Sequence, residues 1–185
     1  MLSILILNKP NITDFASVRN DLLAKSKSDW NLFLDSDERI KSEEIKINNY
    51  YDCYLFKRKN YFLGQYVGTD KIIRLIKKGT GKFVREVHEV WLPKTSHPAG
   101  VISDNYIIHN TADNLADYIK KINYYSDLHA KANLKEGKKS NLSKIIFFPI
   151  AKFIVTLIKS KHLVFSIMQS LHSFLAWTKL YFLQP

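Results

Sequence analysis

Asp29-Trp30-Asn31-Leu32-Phe33-Leu34-Asp35-Ser36-Asp37-Glu38 is the stretch on which the reading of this chain turns. Trp30 to Leu34 is a short apolar run, the pattern of a strand buried on both faces of a parallel sheet. Three acids, Asp35, Asp37 and Glu38, follow at its C-terminal end. Ligands of open α/β sheets bind beyond the carboxyl ends of the strands, so the acids stand where a site is expected. In an extended segment side chains two apart share a face, which would set Asp35 and Asp37 side by side. Two hard carboxylate oxygens on one face suit Mg²⁺ or Mn²⁺, ions that complete their shell with water and substrate phosphates. The plain alternative is a solvated acidic turn, with Asp37 or Glu38 capping the next segment.

Upstream, Leu2 to Leu7 reads as a short strand ended by the turn-rich Asn8-Lys9-Pro10-Asn11. Thr13 or Asp14 caps a helix through Phe15, Val18, Leu22 and Leu23. Downstream, Ser42-Glu43-Glu44 begins a short helix ending near Asn48-Asn49. Tyr51 to Lys57 reads as a strand, with Arg58-Lys59-Asn60 at its end, either a basic cluster able to hold a diphosphate or a solvated loop. Lys71 to Lys77 is rich in β-branched residues, and Gly79-Thr80-Gly81 turns the chain into a further strand, Lys82 to Trp91. Val101 to His109 returns as a strand after the loop Pro93 to Gly100. Thr111 or Asp113 caps an amphipathic helix carrying Leu115, Ile119, Ile122 and Tyr125.

One domain is expected from 185 residues, and 46% apolar content with 13% aromatics argues against disorder. The single cysteine, Cys53, cannot make an internal disulfide and reads as a small core residue. Leu2 to Leu7 is too short for a signal-peptide core, so a cytoplasmic protein is expected. The net charge of +11 is uneven: from Lys131 onward there are nine lysines, no arginine and one acid, Glu136.

Several ordered stretches carry a resemblance to a known family. They are Asp14-Phe15-Ala16-Ser17-Val18-Arg19-Asn20, Trp30 to Glu38, Arg58-Lys59-Asn60-Tyr61-Phe62-Leu63-Gly64, Arg74-Leu75, Gly81-Lys82-Phe83-Val84, Val87-His88-Glu89 and His109. Together, over about Asp14 to Tyr125, the chain resembles family 2 glycosyltransferases of the GT-A fold, and within them the branch that builds lipopolysaccharide core and related surface glycans. The resemblance implies an α/β fold with a GT-A-like (Rossmann-like) mixed sheet. It implies donor binding by Arg19, Asn20 and Asp35, with Arg58 added from its charge, and metal binding by Asp37 and His109. Glu89 takes the place of the catalytic base. Read from the residues alone, Arg19 is a surface or packing arginine and His88-Glu89 a polar pair on a strand edge. The family also has an earlier strand-helix-strand section that binds the nucleotide, and this sequence starts too late to contain it. The expectation is therefore a truncated or split gene, with that section supplied by an upstream start or a partner chain, or else a reduced relative. The insert before Arg74-Leu75 is also shorter than the family's, so acceptor contacts would differ.

The tail changes character. Residues 135–143 read as a basic linker between a domain at 1–134 and a helical tail at 144–185. Ile145 to Ile158 is apolar except for Lys152 and Thr156, and His162 to Thr178 has no formal charge but contains Ser166, Gln169, Ser170, His172 and Ser173. A spanning helix needs about 20 mainly apolar residues, and neither segment supplies them cleanly. Two amphipathic helices lying in an anionic membrane interface are expected instead, or a helical hairpin packed on protein. The expected activity is inverting, metal-dependent sugar transfer from a nucleotide-sugar donor to a lipid-linked or cell-surface polysaccharide acceptor, at the inner face of the cell membrane. The alternative is a non-catalytic, membrane-docked binding module. Nucleic-acid binding, suggested by charge alone, is disfavoured because the lysines sit among apolar runs and no nucleic-acid motif is present.

Overall fold

A computed structural model of the chain describes residues 2–8, 12–42 and 44–185. Over the described residues the fold is mixed α/β, with a curled mixed sheet and four helices. Two compact units divide the chain. The first comprises residues 1–60 and 69–110, the second 61–68 and 111–185.

In the first unit, β1 (Leu2–Leu7) lies parallel to β2 (Trp30–Asp35), joined by helix α1 (Phe15–Lys25). Asp14 caps α1, its carboxylate accepting from the Ser17 N–H at 2.9 Å, so one of four unpaired N-terminal donors is satisfied. The turn expected at Asn8 to Asn11 lies mostly outside the described residues. β2 is buried along Trp30 to Leu34, as its apolar run predicts. Its alternate residues feed two cores. Phe33 joins Leu7, Ala16, Leu23, Ile76 and Phe83 beneath α1, while Trp30, Leu32 and Leu34 join Tyr54, Phe56 and Leu75.

The remaining strands are β3 (Glu38–Ile40), β4 (Cys53–Phe62), β5 (Gln65–Lys77), β6 (Gly81–Val84), β7 (Val90–Pro93) and β8 (Gly100–Asn110). The main sheet runs β1-β2-β5-β4-β8-β3, and β6 pairs with β7 in a separate antiparallel hairpin. Only Ser36 and Asp37 separate β2, second in the sheet, from β3, last in it. A flat sheet would hold these strands about 19 Å apart, four spacings of about 4.8 Å. Three residue steps reach about 11 Å at most. The sheet must therefore curl, and the curl brings the end of β2 beside β3.

Several local expectations are corrected. Asp35 and Asp37 do not share an extended segment, because β2 ends at Asp35 and the chain turns at Ser36-Asp37. The helix expected from Ser42 does not form among the described residues of 42–49 (Glu43 lies outside them). Distant side chains take its backbone groups: Asn105 Nδ2 donates to the Ser42 carbonyl at 2.5 Å, and Tyr54 Oη donates to that of Asn48 at 2.8 Å. Such side-chain bonds compete directly with helix formation. Arg58-Lys59-Asn60 lies within β4, which continues to Phe62, and not after its end. The strand expected over Lys82 to Trp91 is broken by a loop at 85–89, where Arg85 and His88 take φ of 76° and 56° and the hairpin reverses.

The second unit contains the strand residues 61–68 and helices α2 (Leu115–Lys135), α3 (Leu142–Ser160) and α4 (Leu163–Leu183). Leu63 and Gly64 connect β4 to β5 with φ of 50° and 76°, the positive pair that a type I′ hairpin turn needs. Asn114, not Thr111 or Asp113, caps α2 by accepting from the Asp117 N–H at 2.9 Å. Phe62, Val67, Tyr118 and Ile122 form the core of this unit, with Phe165 and Met168 of α4 packed against it. Lys179 of α4 donates to Asn123 Oδ1 at 2.7 Å and pairs with Asp127 at 2.8 Å, both on α2.

Candidate active site

The candidate site grows from the C-terminal end of β2. Asp35 lies on the same side of the strand as Phe33, the side covered by α1. Arg19 on the buried side of α1 reaches it, Nη2 donating to Asp35 Oδ1 at 2.7 Å. The Arg19 guanidinium is 1% exposed and lies 5.7 and 5.6 Å from the ring centroids of Phe33 and Phe83. Those two rings flank the cation, and the carboxylates that pair with it offset the cost of its burial. Its Nε donates to Glu89 Oε1 at 2.8 Å. Glu89 arrives on the 85–89 loop, which α1 anchors through the Phe15 N–H to the Glu86 carbonyl at 2.9 Å.

Arg74 of β5 completes this half. Its Nη2 donates to Asp35 Oδ2 at 2.6 Å and to Glu38 Oε1 at 2.8 Å, and its Nη1 stands 3.8 Å from Glu89 Oε1. Glu38, with no side-chain exposure, also accepts from Arg58 Nη1 at 2.9 Å and from the Asp35 N–H at 3.1 Å. Arg58 turns its remaining edge to Asp70 in a two-point contact of 3.0 and 2.6 Å, the strong fork geometry of a guanidinium on a carboxylate. Burial works to raise the Asp35 carboxyl, but the Arg74 and Arg19 cations outweigh it and hold it below the usual carboxylate range. Asp70 is likewise drawn down, by Arg58 against partial burial. Burial disfavours the Arg58 and Arg74 cations, yet their carboxylates hold both more firmly protonated than usual.

Asp37 and His109 form the other half. Glu38 of β3 pairs in register with His109 of β8, so the residue before β3 comes to the histidine. Asn60 orients the ring: its amide donates to Asp70, leaving Oδ1 to accept from His109 Nδ1 at 2.8 Å. An amide oxygen only accepts, so Nδ1 carries the hydrogen and Nε2 faces Asp37 Oδ2 at 3.4 Å. Two ligands on adjacent corners of a six-coordinate ion, each about 2.1 Å from it, lie about 3 Å apart. The pair therefore fits two corners of such a shell. Among the described residues no group of three or more His, Cys, Asp or Glu side chains is arranged to hold a metal. The remaining corners would belong to water or phosphate.

Of the residues expected at a site, Arg19, Asp35 and Glu89 meet directly, Arg58 joins them through Glu38, and Asp37 meets His109. Asn20 does not join them. Its amide exchanges two 2.9 Å bonds with the Phe83 backbone and ties α1 to β6. Arg74, Glu38, Asp70 and Asn60 complete the network without having been assigned a role. Arg74 is 2% exposed although it stands among aliphatic residues, and one arginine in such a run was the available signal that an acid partner waits inside. Three guanidinium groups and five carboxylates (Asp35, Asp37, Glu38, Asp70 and Glu89) gather here, so the acids outnumber the arginines by two. Two donors, Arg19 Nη1 and Arg74 Nε, are buried without a hydrogen-bond partner. Compared with known proteins, the chain matches no family model and no curated sequence.

Proposed function

We propose that this chain is a GT-A-like, inverting, metal-dependent glycosyltransferase that moves a sugar from a nucleotide donor to a lipid-linked or cell-surface polysaccharide acceptor. The observation that carries the reading is the meeting of Arg19, Asp35 and Glu89, drawn from a helix, a strand end and a distant loop, in one network with Glu38, the residue next to Asp37. Arg19, Asp35, Asp37 and Glu89 were each singled out by the resemblance to family 2 enzymes, and Glu38 links them. Glu89 is held through Oε1, which leaves Oε2 to accept the proton of an acceptor hydroxyl as its oxygen bonds the anomeric carbon and the bond to the nucleoside diphosphate breaks. Asp37 and His109 are the residues that would hold Mg²⁺ or Mn²⁺. A cation bound there offsets the charge growing on the departing diphosphate. With Asp37 and His109 the two ligands among the described residues, metal and nucleotide are expected to bind together, each weak without the other.

Calorimetric titration with nucleoside diphosphates, with and without Mn²⁺, tests this beside Asp37→Asn. Metal-dependent binding that the variant loses supports the reading. A second reading rests on the burial of Arg19 and Arg74, which give most of their donors to internal carboxylates: the network holds the fold and the chain binds without turnover. Absence of nucleotide binding at millimolar ligand, with or without metal, would reject sugar transfer by this chain and favour that second reading.

A further inference from the structure

The outward side of α3 has the wrong chemistry for water. The helix packs on α4 through Ser170 Oγ, which donates to the Pro149 carbonyl at 2.9 Å, and through Phe148 against Trp177, centroids 4.9 Å apart. Pro149 is its only buried residue. Ile146, Phe147, Ile150, Ile154, Val155 and Ile158 are exposed, Phe147 by 64% and Ile158 by 71%. Steps of three and four residues put them on one stripe, about 18 Å long at 1.5 Å per residue. A surface helix normally turns its polar side outward, and an apolar stripe of this length marks a contact surface.

Charge identifies what it meets. From Lys138 to Pro185 there are seven lysines and no acid. Lys138 and Lys179 pair with Glu136 and Asp127. Lys152 and Lys159 sit on the flank of the stripe, both exposed, with no acid in the tail to pair with. A two-fold contact with a second copy would set like charges against each other. A polynucleotide would neutralise the lysines but leave the isoleucines in water. No helix among the described residues is long and apolar enough to cross a membrane.

We propose that α3 lies flat in the interface of an anionic phospholipid bilayer. The Ile146 to Ile158 stripe sinks about 5–10 Å to the boundary of headgroups and acyl chains, and Lys152 and Lys159 meet headgroup phosphates at its rim. This surface belongs to the second unit and stands independently of the sugar-transfer reading.

Flotation of the full chain with phospholipid vesicles tests it. The chain is expected to float with phosphatidylcholine vesicles containing phosphatidylglycerol, to stay behind with pure phosphatidylcholine, and to be released by high salt. Lys152→Gln with Lys159→Gln should weaken binding about thirtyfold. Ile154→Glu with Ile158→Glu should abolish it, while circular dichroism and solution mass stay those of the unaltered chain. Failure to float with anionic vesicles overturns the proposal, as does equal flotation with neutral ones. A solution mass of two chains that falls to one in Ile154→Glu with Ile158→Glu, without vesicle binding, assigns the stripe to a second copy instead.

Discussion

Arg74→Met isolates what the buried ion network contributes. Arg74 is 2% exposed and bonds two carboxylates, Asp35 at 2.6 Å and Glu38 at 2.8 Å. Removing one member of a buried pair costs about 3–5 kcal/mol, because the charge left behind stays desolvated. Here neither acid is left alone, since Asp35 keeps Arg19 and Glu38 keeps Arg58. The expected loss is therefore at the lower end, about 3 kcal/mol. With a urea slope of about 2 kcal/mol/M, the midpoint falls by about 1.5 M. Fluorescence reports it, because Trp30 and Trp91 are both buried in the first unit. Arg58→Met should cost less, about 1 kcal/mol, as its second partner, Asp70, is 47% exposed.

The same variant has a pH signature. Asp35 is held below the usual carboxylate range, with Arg74 the larger of the two cations opposing its burial. A carboxyl lowered on folding adds stability above its unfolded pKa of about 3.9, and that stability is lost as pH falls through the folded value. Without Arg74 the lowering shrinks, so acid unfolding of Arg74→Met begins at a higher pH than in the unaltered chain. A midpoint within about 0.5 kcal/mol of the unaltered chain at constant slope would refute the reasoning, as would a larger cost for Arg58→Met.

Three further outcomes are expected. Glu89→Gln keeps an oxygen for Arg19 Nε but no base, so metal-dependent nucleotide binding should persist while transfer in a donor-consumption assay falls about 10²–10⁴-fold. Gly81→Ala would put a Cβ 2.5 Å from the Leu92 carbonyl and the Trp91 ring, and thermal unfolding should show a loss of about 1–3 kcal/mol. Lys161 ends α3 in the left-handed region at φ 54°, so Lys161→Gly should raise stability in the same assay by about 1 kcal/mol.

The parts of the fold legible in the sequence are those set by local pattern. The unbroken run Trp30 to Leu34 is buried on both faces, and abrupt acids at its end do mark a charged cluster. Partners across the chain were not legible from local pattern. The segment after Ser42 satisfies a helix start locally, yet Asn105 and Tyr54 take its backbone. The 85–89 loop hides because its positive φ values fall on Arg85 and His88 and not on glycine. Arg19 reads as a surface or packing arginine until the loop delivers Glu89, seventy residues away.

The curl of the sheet separates the part of the acidic stretch that holds the ion network from the part proposed to bind an ion. Asp35 and Glu38 sit on either side of the Ser36-Asp37 turn and bind the same guanidinium nitrogen, Arg74 Nη2. That shared nitrogen fastens the turn, and Asp37 inside it is presented to His109. Stability should therefore depend on Arg74, and ion binding on Asp37 and His109. Asp37→Asn leaves the Arg74 bonds to Asp35 and Glu38 in place, so it should cost less stability than Arg74→Met. If Asp37→Asn lowered stability as much as Arg74→Met does, the turn would be a structural staple throughout, and the site reading would lose its geometric basis.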